Sequence, residues 1–108
     1  MSFRARQRLR LAGLPTDKEI GKALCKGPDG QIAGGPVAEG HMYGVTIPVS
    51  CPPGYNPVGT WHTHPGGVVE PSPEDWEMTR KLGFRYLCVT VPETGQTQCL
   101  DARKRHPK

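Results

Sequence analysis

The stretch "GTWHTHPGGVVEPSPEDWEMTRKLG", residues 59–83, combines the pattern of a β-strand with the pattern of an α-helix. Its first part belongs to a run of β-branched and aromatic residues that ends at a proline, which predicts a strand over residues 57–64. In its second part Ser72 is a favourable N-cap and Gly83 can end a helix. We therefore expect a helix over residues 72–83.

The predicted strand carries two histidines, His62 and His64, whose spacing places both side chains on one face of a sheet. The helix that follows has Asp75 in its first turn. Two imidazoles and a carboxylate, with a fourth position left to water, are typical of an open catalytic zinc site. Ser72 and Asp75 also form the S-x-x-D pattern of a helix capping box, so the residues leave open whether they cap the helix, serve the metal or do both.

Together these features form "HTHPGGVVEPSPED", residues 62–75, in which H-x-H is followed after seven residues by S-x-x-D. This compound pattern resembles the signature of the JAMM (MPN+, JAB domain) zinc metalloprotease family, and a looser likeness extends over residues 17–101. The resemblance implies an α/β (α+β) fold of the MPN/JAB type, with a mixed, curved β-sheet flanked by helices. It also implies one domain over residues 1–108 and one Zn²⁺ per chain.

The activity implied by the resemblance is zinc-dependent hydrolysis of an amide bond by an isopeptidase or peptidase. The bond would follow the C-terminal tail of a ubiquitin-like or sulfur-carrier protein, which is the expected partner. Residues 76–100 leave no room for a long insertion after the helix, which is typical of a minimal prokaryotic form. The alternative is a non-catalytic MPN-like binding or scaffold module, which the presence of all three metal ligands disfavours.

The catalytic residues implied by the resemblance are Ser72, as a stabiliser of the oxyanion, and an upstream glutamate, as the general base. Glu19 in "KEIGKALCKG", residues 18–27, fits the family pattern better than its competitor. Glu39 in "VAEGHMYG" is that competitor, and the sequence leaves the choice between them open.

The remainder of the chain predicts short elements. Residues 3–12 predict a short basic helix, and the alternation in residues 41–49 predicts a strand. Residues 85–91 and 96–100 predict two strands joined by a turn. Trp61 lies between the two histidines in the strand, so it is expected to face away from them and to pack in the core.

The formal net charge of +4 is concentrated at the two ends of the chain. The basic segments are residues 1–12 and residues 102–108, and such arms can bind nucleic acid or act as solvated tails. Aromatic residues make up 6% of the chain, too few for a stacking surface, so solvated tails are favoured and nucleic acid is not the expected partner.

The chain has four cysteines and no C-x-x-C pair, which disfavours a cysteine-based zinc site. Cys88 and Cys99 could face each other across a hairpin, either as a disulfide or as two buried thiols. Cys25 and Cys51 are expected to be small buried hydrophobes without a disulfide.

The sequence has no apolar run of about 20 residues and no apolar stretch typical of a secretion signal near residue 1. We therefore expect a soluble, cytoplasmic protein that does not bind a membrane.

Overall fold

The structure, a computed structural model, describes residues 6–10 as backbone and residues 13–103 in full. Within these ranges the elements follow the order β1 (Arg6–Arg10), β2 (Ile20–Lys26), β3 (Ile32–Gly34), β4 (Ala38–Glu39), β5 (Asn56–Thr63), α1 (Pro73–Lys81), β6 (Tyr86–Val91) and β7 (Gln96–Asp101). The strands form one mixed sheet with α1 against it, so the predicted α/β (α+β) class is confirmed.

The sheet has the strand order β1-β7-β6-β5-β2-β3, and β4 also pairs with β2. β5 and β6 are parallel because α1 returns the chain across the sheet between them, whereas the other pairs are antiparallel. The strands predicted over residues 57–64, 85–91 and 96–100 are β5, β6 and β7.

The two tryptophans belong to hydrophobic clusters on opposite faces of the sheet. Trp76 of α1 packs with Leu87 of β6, whereas Trp61 packs in a cluster that includes Cys88. Leu87 and Cys88 are neighbours in one strand and therefore point to opposite faces. His62, next to Trp61 in β5, consequently faces α1, and Trp61 faces away from it as predicted.

The predicted ends of the helix are confirmed. Ser72 is the N-cap, and its Oγ accepts a hydrogen bond from the Asp75 N–H at 3.1 Å. The Asp75 carboxylate in turn accepts from the Ser72 N–H at 2.8 Å, which completes a capping box. After the C-cap, Gly83 adopts a φ of +72°, a conformation that glycine allows without steric cost.

The prediction of a helix over residues 3–12 is wrong where the structure describes that segment. Residues Arg6–Arg10 form β1, antiparallel to β7. An isolated helix of this length is marginal in water, whereas pairing with β7 satisfies main-chain groups that a sheet edge would leave exposed. The other residues of that predicted helix lie outside the described ranges.

The prediction of a strand over residues 41–49 is also wrong. In the described part of the chain, the only ladder pairing of this segment is an isolated bridge between His41 and Gly44. Residues 41–50, which we call the crossing segment, instead pass over the α1 face of the sheet and contact β2.

Two glycines in other parts of the chain, Gly21 and Gly35, explain how the crossing segment lies so close to the sheet. Ile47 packs against Gly21 of β2, where an added Cβ atom would lie 2.7 Å from Ile47 Cδ1. The Ser50 carbonyl lies against Gly35, where a side chain would collide with it. The alternating pattern of this segment therefore reflects packing onto the sheet rather than membership of it.

The four cysteines form two disulfides, Cys88–Cys99 and Cys25–Cys51. Cys88 and Cys99 are directly opposite each other in β6 and β7, so the disulfide, one of the two alternatives for this pair, is the one found. The expectation that Cys25 and Cys51 carry no disulfide is wrong. The crossing segment returns Cys51 to Cys25 across 26 residues, a contact that no local spacing indicates.

Most of the basic ends, residues 1–5, 11–12 and 104–108, lies outside the described ranges, so the role of these segments stays a prediction. Within residues 6–10 and 13–103, no helix has the length and apolar character needed to cross a bilayer. The cytoplasmic location also stays a prediction.

We expect Gly59→Ala in β5 to destabilise the protein by about 1–3 kcal/mol, the usual cost of overpacking. An alanine Cβ there would lie 2.8 Å from Tyr86 Cβ and would collide with the Tyr86 carbonyl oxygen. In the control Gly44→Ala, the nearest atom is His41 Cε1 at 3.3 Å, in a side chain that can move. Urea unfolding gives the free energy of unfolding of the two variants. An equal decrease in both would contradict the close contact between β5 and β6.

Candidate metal centre

The end of β5 presents both histidines on the α1 face of the sheet. His62 is buried between Gly21 of β2 and Val89 of β6. One residue past the strand, the His64 N–H still donates to the Thr90 carbonyl at 2.8 Å. This hydrogen bond prolongs the strand geometry, so both imidazoles point to the same side, as the H-x-H spacing predicts.

A glycine turn after His64 reverses the chain toward α1. Gly66 adopts a φ of +67°, and its N–H donates to the Glu93 carboxylate at 3.0 Å. The Gly67 N–H donates to the His64 carbonyl at 3.0 Å, and the Val68 carbonyl lies 3.2 Å from His64 Nδ1. Because a carbonyl only accepts, Nδ1 carries the proton, which leaves Nε2 as the ligand atom.

The carboxylate of Asp75 belongs to the helix cap and to the histidine cluster at once. Its Oδ2 accepts the Ser72 N–H at 2.8 Å. The same oxygen lies 3.2 Å from Nε2 of His62 and 3.3 Å from Nε2 of His64. The two roles that the sequence left open, capping and metal binding, are therefore compatible in one side chain.

The separations of the three donor atoms fit the ligand triangle of a metal ion. Tetrahedral ligands at about 2.0–2.1 Å from zinc lie about 3.3 Å from one another. Here the two Nε2 atoms are 2.9 Å apart, and both are within 3.3 Å of the Asp75 oxygen. The group could hold a metal ion, and all three residues line one cavity from which a further ligand could approach.

Burial and hydrogen bonding shift the proton affinity of two of these residues. Burial alone would raise the pKa of Asp75, but hydrogen bonds from His62, His64 and the Ser72 N–H hold that pKa well below its usual range. The hydrogen bond with Asp75 raises the pKa of His64, although burial opposes it. Asp75 is therefore ionised at neutral pH, whereas a protonated His64 must lose its proton before it can bind a metal.

Glu19, the expected general base, directly precedes β2 and lines the same cavity as the histidine cluster. Its N–H donates to the His41 carbonyl at 2.7 Å, and its carbonyl accepts from the Gly40 N–H at 2.8 Å. Two residues along, Gly21 is paired with His62, so Glu19 lies on the histidine face. Burial raises the pKa of Glu19, against the opposing effect of the two histidine charges.

Glu39, the competing glutamate, lies on the other face of the sheet. β4 pairs with β2 so that Glu39 is opposite Ile20, a core residue of the cluster that faces away from α1. The Glu39 carboxylate is exposed and forms an ion pair with Lys18 at 2.7 Å. Glu39 lines a smaller, adjacent hollow, whereas Glu19 lines the cavity of the cluster itself.

Comparison with known protein families agrees with this geometry. Residues 49–103 match the family described as prokaryotic homologues of the JAB domain. The chain belongs to this family. The match includes the two histidines, Ser72 and Asp75, whereas Glu19 precedes it. No curated protein and no solved structure matches the chain significantly.

In this JAB homologue the histidine cluster lines a cavity of about 920 Å³, between the crossing segment and α1. Seven large hydrophobic side chains are exposed within residues 13–103, and five of them line this cavity: Met42, Tyr43, Val49, Met78 and Leu82. Exposed apolar side chains gathered at one opening are typical of a binding surface. We call these five residues the apolar groove.

Sequence reasoning missed the apolar groove and two contacts that orient the cluster. The groove was hidden by the prediction of a strand over residues 41–49, although glycines at positions 40 and 44 and Pro48 already disfavour a regular strand. The Val68 carbonyl and the Glu93 carboxylate hold the turn after His64. Neither contact has a sequence signal, because each depends on how the loops meet in space.

We expect the chain, purified without added metal, to contain about one zinc ion per molecule, as an open His-His-Asp site would. The variant His62→Ala/His64→Ala should contain almost none. Thermal unfolding should show that added zinc stabilises the chain more at about pH 7.5 than at about pH 5.5, because zinc must displace the proton of His64 at the lower pH.

Without metal, the stability of the chain should depend on pH in the opposite direction. The raised pKa of His64 contributes stability below the ordinary histidine pKa of about 6.5, and this contribution is lost as the pH rises through the folded-state pKa. A zinc effect that is independent of pH, or that persists in the double variant, would contradict the assignment of these ligands.

Proposed function

We propose that the protein is a zinc-dependent peptidase that hydrolyses the amide or isopeptide bond after the C-terminal tail of a ubiquitin-like or sulfur-carrier protein. The observation that carries this proposal is the convergence of three donor atoms, mutually within 3.3 Å, beside a glutamate that lines the same cavity. Membership of the JAB family supports it, because that family includes metalloproteases.

The donor set favours zinc over calcium and magnesium. Two imidazole nitrogens and one carboxylate oxygen suit zinc, whereas calcium and magnesium prefer a shell of oxygen ligands. His62, His64 and Asp75 would hold the ion, one per chain. Zinc bound there would polarise the scissile carbonyl and let a water ionise near neutral pH.

Glu19 would act as the general base. Its carboxylate would take the proton of the attacking water and later deliver it to the amine that leaves, so no other proton carrier is needed. Burial raises its pKa, which makes the carboxylate a stronger base. Fixed main-chain hydrogen bonds to Gly40 and His41 keep the residue at the cavity.

Ser72 would stabilise the negative charge that develops on the carbonyl oxygen. Its Oγ accepts the Asp75 N–H at 3.1 Å, so the hydroxyl hydrogen can still donate to another acceptor. Ser72 lines the same cavity as the metal ligands, which puts this donor within the space that the substrate would enter. A fixed hydroxyl of this kind needs no reorganisation during the reaction.

The apolar groove supports a protein tail as the substrate. Side chains that a small polar substrate would leave exposed, such as Tyr43 and Met78, surround the opening of the cavity. An extended tail could place apolar side chains against them while its small diglycine end reaches the metal ligands. The groove lies between α1 and the crossing segment, so such a tail would be held from two sides.

The decisive test compares Glu19→Gln with Glu39→Gln on a diglycine-linked conjugate of a ubiquitin-like protein. We expect Glu19→Gln to lower kcat about 100- to 10,000-fold, the usual contribution of a general base, with its zinc retained. Glu39→Gln removes one exposed carboxylate on the opposite face and should remain close to the native rate.

The outcomes of this test separate the two functional readings. Equal rates for both variants would remove Glu19 from the mechanism. A zinc-loaded native chain that binds the conjugate without cleaving it would exclude the peptidase and favour the non-catalytic binding module.

Substitutions of Ser72 should separate its structural role from its catalytic role. Ser72→Asp keeps a good N-cap but cannot donate to an oxyanion, so it should retain stability and lose about 100- to 1000-fold in kcat. Ser72→Thr keeps the hydroxyl and should retain most of the activity. Urea unfolding and initial rates measure the two effects, and an active Ser72→Asp would show that the hydroxyl only caps the helix.

A further inference from the structure

The crossing segment forms one wall of the apolar groove, and most of it is not hydrogen-bonded into the sheet. Residues 45–50 have no ladder pairing in the described structure. At its first end, the His41 carbonyl accepts the N–H of Glu19 at 2.7 Å. At its other end, Cys51 follows directly and is bonded to Cys25 of β2.

The two disulfides differ in their exposure. Cys25 is completely buried, but its partner Cys51 is only half-buried, in a loop of two prolines and a glycine. Cys88 and Cys99 are 1% and 3% exposed, inside the cluster that faces away from α1. Access is one of the main determinants of thiol–disulfide exchange, so a thiol in solution should react first at Cys51.

We propose that the Cys25–Cys51 disulfide holds the crossing segment where the apolar groove binds its substrate, so that a thiol reductant weakens substrate binding while the metal stays in place. This inference rests on the proposed function and adds a means of regulation to the same site. The Cys88–Cys99 disulfide remains closed under the same conditions and maintains the sheet.

The reduction uses two molecules of a thiol. The thiolate of the first attacks Cys51 Sγ, which forms a mixed disulfide and releases Cys25 as a thiolate. The thiolate of the second attacks the external sulfur of the mixed disulfide and releases Cys51. The two thiols leave as one disulfide, having supplied two electrons to the cysteine pair, and their two protons are taken up by Cys25 and Cys51.

The groove would respond because Val49, one of its five residues, lies two positions before Cys51. Once the covalent closure between Cys25 and Cys51 is lost, packing such as that of Ile47 on Gly21 remains to hold the wall. If the wall is in position for only a fraction of the time, the apparent affinity falls to that fraction of its full value.

The metal cluster would not respond, because its residues lie on other elements. His62 and His64 are held by the end of β5 and by the turn after it, and Asp75 is held by the cap of α1. No metal ligand falls within the loop that Cys25 and Cys51 close.

The experiment uses the zinc-loaded native chain in buffers of increasing reduced-to-oxidised glutathione ratio. Alkylation and peptide mass mapping show which disulfide opens first. Zinc content, hydrogen exchange over residues 41–50, and KM and kcat for the diglycine-linked conjugate are measured at each ratio. We expect Cys25–Cys51 to open first, exchange in the crossing segment to rise, and KM to rise about tenfold with zinc unchanged.

The matched control is Cys25→Ser/Cys51→Ser, which should resemble the reduced native chain and should no longer respond to glutathione. Since the native chain is itself measured in both redox states, the test does not depend on the folding of this variant. The inference is overturned if Cys88–Cys99 opens first, if zinc is lost together with the disulfide, or if exchange and KM do not change.

Failure of the proposed function gives a different result. An oxidised, zinc-loaded chain that neither cleaves nor binds the conjugate would overturn that function, and with it the control of substrate binding. The exchange of residues 41–50 would still decide whether the disulfide holds the crossing segment.

Discussion

The Asp75 carboxylate connects the two elements on which the site depends. Its Oδ2 accepts the Ser72 N–H, which completes the cap of α1, and lies within 3.3 Å of both histidine nitrogens at the end of β5. The helix start and the strand end are therefore held at one atom. A negative charge at the first turn also suits the positive end of the helix dipole, so the same charge favours the helix and a cation beside it.

This shared use of one side chain suits a small domain. A chain of 108 residues buries a limited core, so few residues can be kept for function alone. The helix that covers the sheet also supplies a proposed metal ligand and the proposed oxyanion donor. The two disulfides lie near this site: Cys88–Cys99 is within the buried cluster, and Cys25–Cys51 is at the end of the crossing segment.

The sequence predicted the features of the fold and the site that depend on residues close together along the chain. The alternation of β5 fixes the common face of His62 and His64, and the cap of α1 follows from Ser72 and the glycine at its other end. Asp75 could be placed near the histidines because only ten residues separate it from His64. The donor set was thus accessible from local rules, although its distances were not.

The predictions that were wrong concern features that depend on contacts between residues distant in sequence. Residues 6–10 form a strand by pairing with β7, and residues 41–49, whose own glycine and proline disfavour a regular strand, pack on Gly21 of β2. Cys25 and Cys51 also meet across 26 residues. Local patterns carry no information about which partner a segment will find, so they assigned each of these segments to its intrinsic preference.

The choice between Glu19 and Glu39 shows how this limit affects function. Both glutamates belong to the part of the chain before the family match, and both lie beside β2. Their chemistry is identical, but antiparallel pairing places Glu39 opposite Ile20 and so on the face away from the histidines. A shift of one residue in that register would bring Glu39 to the face of the histidines. The proposed metal ligands are therefore set by a local motif, whereas the face on which Glu19 lies depends on the register between β2 and β5, so a relative could keep the histidine cluster and lose the proposed base.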